Sequence, residues 1–206
     1  MIREIVHPLI SHKLTILRDK NTGNKEFREL TREISLLLAY EAFKDLHLTD
    51  YTVETPLEST VGKKISDKIV IVPILRAGIG MSDAVLSLLP QAQVEFLGIY
   101  RDHDTKMPVE YYQKLPDSNC NPQVVVVDPM LATGGSLIAA IEVLKKKNYN
   151  RIKVLCLIAS PEGLKFVSDT YPDVEIITAS IDRCLNENKY ILPGLGDAGD
   201  RLFKTL

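Results

Sequence analysis

The sequence predicts an α/β fold built on a mainly parallel, doubly wound sheet. Short β-branched and aliphatic runs recur along the chain, at residues 68–75, 94–100, 124–127, 154–159 and 174–181. Amphipathic segments of helical spacing lie between most of them, and that alternation implies parallel strands joined by helical crossovers. Two of the runs end in a polar, glycine-containing turn at a helix start, where open α/β sheets gather ligands. The 206 residues suffice for a single domain with a sizeable core, and no internal repeat or low-complexity linker divides them. One domain spanning 1–206 is therefore expected.

Taken in order, residues 1–7 contain no long apolar stretch, so no secretory signal is visible, and no later run reaches the length of a membrane span. Residues 13–25 are basic, and Arg28 and Arg32 extend that character; the plain reading is a solvated face, the functional one an anionic effector site or a subunit contact. Residues 26–46 read as a long helix with Leu30, Ile34, Leu37 and Leu38 on its apolar face and Asn24 as its cap. Residues 52–56 look extended, with a turn near Gly62. The buried strand 68–75 runs into Arg76-Ala77-Gly78-Ile79-Gly80 and a helix to about Leu89. After strand 94–100, residues 101–116 are polar, with two prolines and paired tyrosines, and read as a hairpin arm or flap. Strand 124–127, helix 136–147 and strand 154–159 form a β-α-β unit. A short helix at 163–170, a strand at 174–181 and a loop-rich tail at 182–206 complete the chain.

The formal net charge of −2 argues against broad binding to nucleic acid or an anionic membrane. Cys120, Cys156 and Cys184 form no C-x-x-C pair, which suits a reducing cytosol, and Cys156 in its apolar strand reads as a small core residue. His7, His12, His47 and His103 show no metal-ligand spacing and read as surface or cap residues.

The segment richest in chemistry is Val124-Val-Val-Val-Asp128-Pro129-Met130-Leu131-Ala132-Thr133-Gly134-Gly135-Ser136. A buried strand ends in an acid, a Thr-Gly-Gly-Ser turn follows, and a helix starts. Helix N-termini present unpaired N–H groups and partial positive charge, glycines allow close backbone approach, and Thr133 and Ser136 add hydroxyls. With a phosphate in the turn, Asp128 would face a ligand's hydroxyl groups, so the chemistry suggested is recognition of a sugar phosphate. A turn that binds nothing shares the same strand-turn-helix pattern. No lysine follows Gly135, which removes the P-loop, and the turn lacks G-x-G-x-x-G.

The nine residues Asp128–Ser136 resemble the phosphoribosyl-diphosphate (PRPP) motif of the uracil phosphoribosyltransferases, within the type I phosphoribosyltransferase superfamily. The likeness extends from His7-Pro8-Leu9 through Arg18-Asp19-Lys20-Asn21-Thr22 to Gly196-Asp197-Ala198-Gly199-Asp200-Arg201. It implies transfer of the 5-phosphoribosyl group from PRPP to N1 of uracil, giving UMP and diphosphate. Pro129 replaces the second acid of the wider superfamily, leaving Asp128 to hold the ribose hydroxyls and Mg²⁺ to ride on PRPP rather than in a protein cage. By the same resemblance Arg76 and Arg101 contact the diphosphate, residues Asp128, Pro129, Met130, Leu131, Ala132, Thr133, Gly134, Gly135 and Ser136 bind PRPP, and Ile191, Gly196, Asp197 and Ala198 line the base in a C-terminal hood. Asp197 also touches PRPP and is the candidate for orienting the base or handling its N1 proton. A cytoplasmic homodimer or homotetramer is implied, and some relatives respond to GTP.

The tail's Gly194-Leu-Gly196-Asp-Ala-Gly199 satisfies G-x-G-x-x-G formally, but only seven residues follow it, too few for the dinucleotide unit. Two other functions compete: a phosphoribosyltransferase for a purine or orotate, which the uracil-type tail opposes, and a regulator of the same fold that binds nucleotide and RNA without turnover, which the charge and the intact loop oppose.

Overall fold

A computed structural model describes residues 1–101, 108–113, 118 and 120–205. In chain order the elements are β1 (Ile2–Glu4), α1 (Pro8–Arg18), α2 (Asn24–Ala42), β2 (Leu48–Glu54), β3 (Ser59–Ile65), β4 (Ile69–Leu75), α3 (Ile79–Leu88), β5 (Gln93–Val94), β6 (Leu97–Arg101), β7 (Pro108–Gln113), β8 (Gln123–Val127), β9 (Met130–Leu131), α4 (Gly135–Lys146), β10 (Arg151–Ala159), α5 (Pro161–Thr170), β11 (Glu175–Ile181), β12 (Cys184–Leu185), β13 (Ile191–Leu192) and α6 (Ala198–Phe203).

The main sheet runs β1-β11-β10-β8-β4-β6-β7, with β5 added to β4 and β9 to β10. Its described pairs are parallel except β6 with β7, as the strand-helix alternation requires. Side chains two apart along each strand share a face. Val125, Val127, Leu155 and Leu157 pack towards α1, α2 and α3, while Val124, Val126, Val154 and Cys156 pack towards α4 and α5. Burial on both faces explains why the strands read as unbroken apolar runs rather than alternating ones. At roughly 1.5–3 kcal/mol per buried aliphatic side chain, the four valines of β8 fix that strand, and hence its carboxyl end, at the centre of the sheet.

From β4 the chain winds through α3 towards β6, and from β8 it winds through α4 towards β10 in the opposite direction. The direction of winding reverses between the neighbouring strands β4 and β8. Their carboxyl ends form the switch point of the sheet, and a crevice opens there because the two following loops diverge.

Several local expectations differ from the structure. Helix α1 went unrecognised; Pro8 at its first turn and the His7 ring nitrogen accepting from the Leu9 N–H at 3.2 Å start it, and Ile10, Leu14 and Leu17 bury its inner face. Asn24 is not the cap of α2. Gly23 is, and the Asn24 amide donates instead to the Arg201 carbonyl at 2.8 Å. Helix α2 stops at Ala42 rather than Leu46, and the buried Lys153 ammonium satisfies the Ala42 carbonyl at 2.7 Å and reaches Asp45 at 2.5 Å. Gly62 lies within β3 opposite Tyr51, and the hairpin reverses at 55–58, where the Thr55 hydroxyl accepts from the Leu57 and Glu58 N–H groups. The 94–100 run is divided into β5 and β6. In the basic 13–25 segment, Lys13 pairs with Glu33 at 2.6 Å and Arg18 with Asp182 at 2.5 Å, so much of its charge is neutralised within the chain. Of the expected flap, 108–113 returns antiparallel to β6, while 102–107 and 114–116 lie outside the described residues. Among the described residues no helix is long and apolar enough to cross a membrane.

Candidate active site

Two loops meet at the switch point. The first follows β4 and carries Arg76, exposed and without a carboxylate partner among the described residues; the Leu75–Arg76 peptide is cis. Its Gly78 sits against the neighbouring strand. A Cβ there would lie 2.4 Å from the Val127 carbonyl oxygen and 2.7 Å from the Ile74 nitrogen and oxygen. Gly78 has an ordinary helical φ of −59°, so the demand on it is for space and not for an unusual backbone. Only a residue without a side chain lets the Arg76 loop close onto the strand that ends in Asp128.

The second loop follows β8. Asp128, Met130–Gly134 without a break, Ser136 and Leu137 line a cavity of about 110 Å³, with Val154 and Cys156 beneath. Gly134 adopts φ +84° and caps α4 without a side-chain hydrogen bond, so no side chain competes for the first-turn N–H groups. Glycine is needed at 134 both for that left-handed φ and for room, since a Cβ would lie 3.0 Å from Val167 Cγ2 and 3.1 Å from the Gly163 oxygen. The loop is braced from behind. Ser160 caps α5 by accepting from the Gly163 N–H at 2.9 Å and donates to the Ala132 carbonyl at 2.6 Å. The reading of 163–170 as a helix missed this brace, although Ser160 followed by Pro161 is itself a start signal.

Pro129 is buried, and its carbonyl accepts from Leu157 at 3.0 Å and Ile158 at 3.2 Å, so it stitches the loop to β10. Asp128 is half-buried. Burial pushes its carboxyl up to about 7, and the long contact from the Met130 N–H, at 3.5 Å, only partly offsets that. Burial likewise pushes the Cys156 thiol up to about 12, which leaves it an inert core residue as expected.

The C-terminal segment covers the same end of the sheet. Ile191 and Ala198 turn their side chains into the core with Leu195 and Leu202. Gly196 and Asp197 are exposed. Asp197 caps α6 through Oδ1, which accepts from the Asp200 N–H at 3.0 Å. Leu202 lies against Gly80, where a Cβ would come within 2.9 Å of it, so α6 abuts the start of α3 beside the Arg76 loop. Arg101 ends β6 two strands from Asp128; its backbone pairs with Pro108.

Two arginines missed as functional residues hold this segment. Arg201 donates to the carbonyls of Leu17 at 2.7 Å, Leu195 at 2.8 Å and Asp19 at 2.6 Å, and its guanidinium stacks 4.2 Å from the Phe27 ring centroid. Arg18 grips the buried carboxylate of Asp182, with contacts of 2.7 and 2.5 Å. The signal for Arg201 lay in the resemblance itself, which includes both Arg18–Thr22 and the 196–201 segment; the fold brings those distant stretches into contact.

Comparison with known proteins shows the family and the fold. A family model described as uracil phosphoribosyltransferase matches residues 4–205. The chain is 57% identical to a uracil phosphoribosyltransferase of Listeria monocytogenes over 205 residues, 99% of this chain and 98% of that protein. It is 54% identical to one of Clostridium tetani with the same coverage. A solved structure of an Aquifex aeolicus protein superposes with a TM-score of 0.95 at 40% identity, covering 100% of this chain and 99% of that one. A match that runs nearly end to end and takes in the switch-point loops and the C-terminal segment together shows that the chain belongs to the uracil phosphoribosyltransferase family.

Proposed function

We infer that the chain transfers the 5-phosphoribosyl group of PRPP to N1 of uracil, forming UMP and diphosphate, as the proteins it resembles are named for doing. The observation that carries the residue assignment is the closure of the Arg76 loop onto the Asp128 strand through Gly78. A sugar bearing phosphate at one end and diphosphate at the other would span the two loops.

In this reading the 5-phosphate occupies the turn from Thr133 to Ser136, on the uncapped N–H groups and hydroxyls at the start of α4. Asp128 accepts from the ribose 2′- and 3′-hydroxyls. Arg76 and Arg101 take the diphosphate, where a guanidinium fork matches phosphate oxygens. As the C1–O bond breaks, positive charge grows on the ribose and negative charge on the leaving group, so catalysis is positioning and electrostatics. Uracil N1 attacks C1 from the opposite face, with inversion. The hood reads uracil's acceptor–donor–acceptor edge with backbone at Ile191 and Gly196–Ala198, and cytosine would set a donor against a donor. Asp197 keeps one oxygen free of its capping bond to orient the base or take the N1 proton. The arm begun by β6 and β7 shields the reaction from water.

Asp128 supplies one carboxylate and Pro129 none, a donor set that suits Mg²⁺ arriving with PRPP oxygens as its other ligands. When bound, Mg²⁺ neutralises diphosphate charge. The same reading makes residues 1–206 one domain, with 101–116 its flap and 182–206 its hood, and puts the enzyme in the cytoplasm. The β2–β3 hairpin, exposing Leu48, Tyr51, Val53 and Val61, supports a homodimer or homotetramer. A GTP response belongs to the same family-based reading.

The test is product formation with PRPP, Mg²⁺ and each of uracil, cytosine, orotate, adenine and hypoxanthine. UMP from uracil alone is expected. Product from another base would overturn the hood assignment, and no product from any base would overturn the activity.

A further inference from the structure

We propose that Arg18 and Asp182 form a positioning clamp that holds the hood in the geometry required to select uracil, acting through Gly194. The proposal rests on the assignment of the hood to the base. Asp182, at the end of β11, is buried, and every contact it makes is directed. It accepts from the Arg18 guanidinium at 2.7 and 2.5 Å, from the Gly194 N–H at 2.9 Å and from the Ser180 hydroxyl at 3.0 Å, while its own N–H is held by the Ala159 carbonyl at 2.8 Å. Arg18 also donates to the Gly194 carbonyl at 2.7 Å and to the Ser180 hydroxyl at 3.2 Å. Both polar groups of Gly194 are therefore gripped by the two halves of one ion pair.

Gly194 is where the hood turns. It adopts φ +68°, and a Cβ there would lie 2.2 Å from the Ile191 oxygen, so glycine is required for conformation and space alike. Fixing the peptides on either side of it sets the direction in which 195–198 leave. Arg201 then holds the Leu195 carbonyl at 2.8 Å, and Asp197 caps α6. The backbone left to meet the base is the short stretch Gly196–Ala198. Burial alone would raise the Asp182 carboxyl, but Arg18, the Gly194 N–H and Ser180 overcome it and hold it below the ordinary carboxylate range. A buried ion pair is a poor source of net stability, since apolar packing of equal volume does as well. What this pair supplies is orientation, through directed bonds to Gly194 and Ser180 that an apolar pair could not make. Discrimination by backbone groups depends on orientation, because a donor displaced from its acceptor no longer rejects the wrong base.

The experiment compares Asp182→Asn, Arg18→Lys and Gly196→Val with the parent protein, measuring KM for uracil and for PRPP and the ratio of kcat/KM for uracil over cytosine, with circular dichroism to establish folding. Asn sets an amide donor against the Arg18 or Gly194 donors, and Lys keeps the charge but loses the fork. Both clamp variants are expected to raise the uracil KM by roughly tenfold, the worth of a directed hydrogen bond to a charged group. They should lower the uracil preference and leave the PRPP KM within about twofold. An unchanged uracil KM in a folded clamp variant, or a parallel rise in both KM values, overturns the proposal; if Asp182→Asn does not fold, Arg18→Lys is read by the same criteria. Gly196→Val separates the two levels. If it raises the uracil KM while the clamp variants do not, only the clamp is wrong. If it leaves the uracil KM unchanged, the hood is not the base site and the clamp falls with it.

Discussion

Asp128→Asn should make the protein more stable and less active, and the stability gain should appear only above a defined pH. The Asp128 carboxyl is pushed from an ordinary value of 3.8 to about 7 by burial. Between those values the folded protein holds a proton there that the unfolded chain has released. Stability therefore falls as pH rises through this window, and above the folded value the full cost of burying the ionised group is present. Roughly three pH units at 1.36 kcal/mol each amount to about 4 kcal/mol. Asparagine has the same shape and does not ionise. For a chain of this length the melting temperature of the variant should exceed the parent's by on the order of 10 °C at pH 8, with the difference closing towards pH 4. Activity should move the other way. On the proposed role, in which the carboxylate accepts from two ribose hydroxyls, its replacement by one neutral acceptor should cost about 3 kcal/mol, or on the order of 100-fold in kcat/KM for PRPP. In the parent, kcat/KM for PRPP should fall as pH drops below about 7, where the acceptor becomes protonated, and the variant should lack that dependence. Scanning calorimetry from pH 4 to 8 with steady-state kinetics checks both. A melting-temperature difference that does not vary with pH, or a variant with native kcat/KM, would refute the reasoning.

Arg76→Ala should raise the PRPP KM and slow the reverse reaction with diphosphate while leaving the fold intact, because Arg76 is exposed; unchanged kinetics in both directions would remove it from the site. Gly78→Ala places a Cβ 2.4 Å from the Val127 oxygen, against backbone on every side. It should cost about 1–3 kcal/mol in urea unfolding and a larger share of activity than of stability, and a variant that is native in both would contradict the closure described here. At the far end of the sheet, Asp67 is desolvated, yet Arg151 at 2.8 Å and the His47 N–H at 2.7 Å hold its carboxyl down at about 2. A depressed folded value contributes stability that is present above about 4 and lost as pH falls towards 2. Asp67→Asn should therefore cost about 2 kcal/mol at pH 7, and urea titrations should find parent and variant converging near pH 2.

The parts of the molecule legible in the sequence are those where local pattern and global role coincide. Runs such as 69–75 and 123–127 are buried on both faces, and their composition says so without reference to anything else. The Asp128–Ser136 loop was legible because its chemistry is local: an acid, two glycines, two hydroxyls and a helix start. Helix α1 was hidden because His12, Lys13 and Arg18 dilute an apolar face of only three buried residues. The end of α2 was misjudged because the group that satisfies its Ala42 carbonyl, Lys153, lies 111 residues away. The clamp joins residues 164 apart, and no spacing rule connects an arginine at the end of one helix to an aspartate at the end of a distant strand. Ser160 as a brace was missed for a different reason, since its signal was local but its partner, the Ala132 carbonyl, was not.

The contact between Gly78 and Val127 also bears on how such an enzyme can change. On the proposed reading the Arg76 loop would grip the leaving group and the loop after β8 would hold the ribose, and the Arg76 loop meets the end of β8 backbone to backbone, Gly78 against the Val127 carbonyl. On that reading, lengthening either loop, or giving either a bulkier residue at the contact, would shift both halves of the PRPP site at once. The C-terminal segment is built differently, tied to the rest of the fold by the side chains of Arg18, Asp182 and Arg201. On the proposed reading a new base preference would be sought in the tail and its supports, whereas a new sugar-phosphate donor would require the two central strands to be recast together.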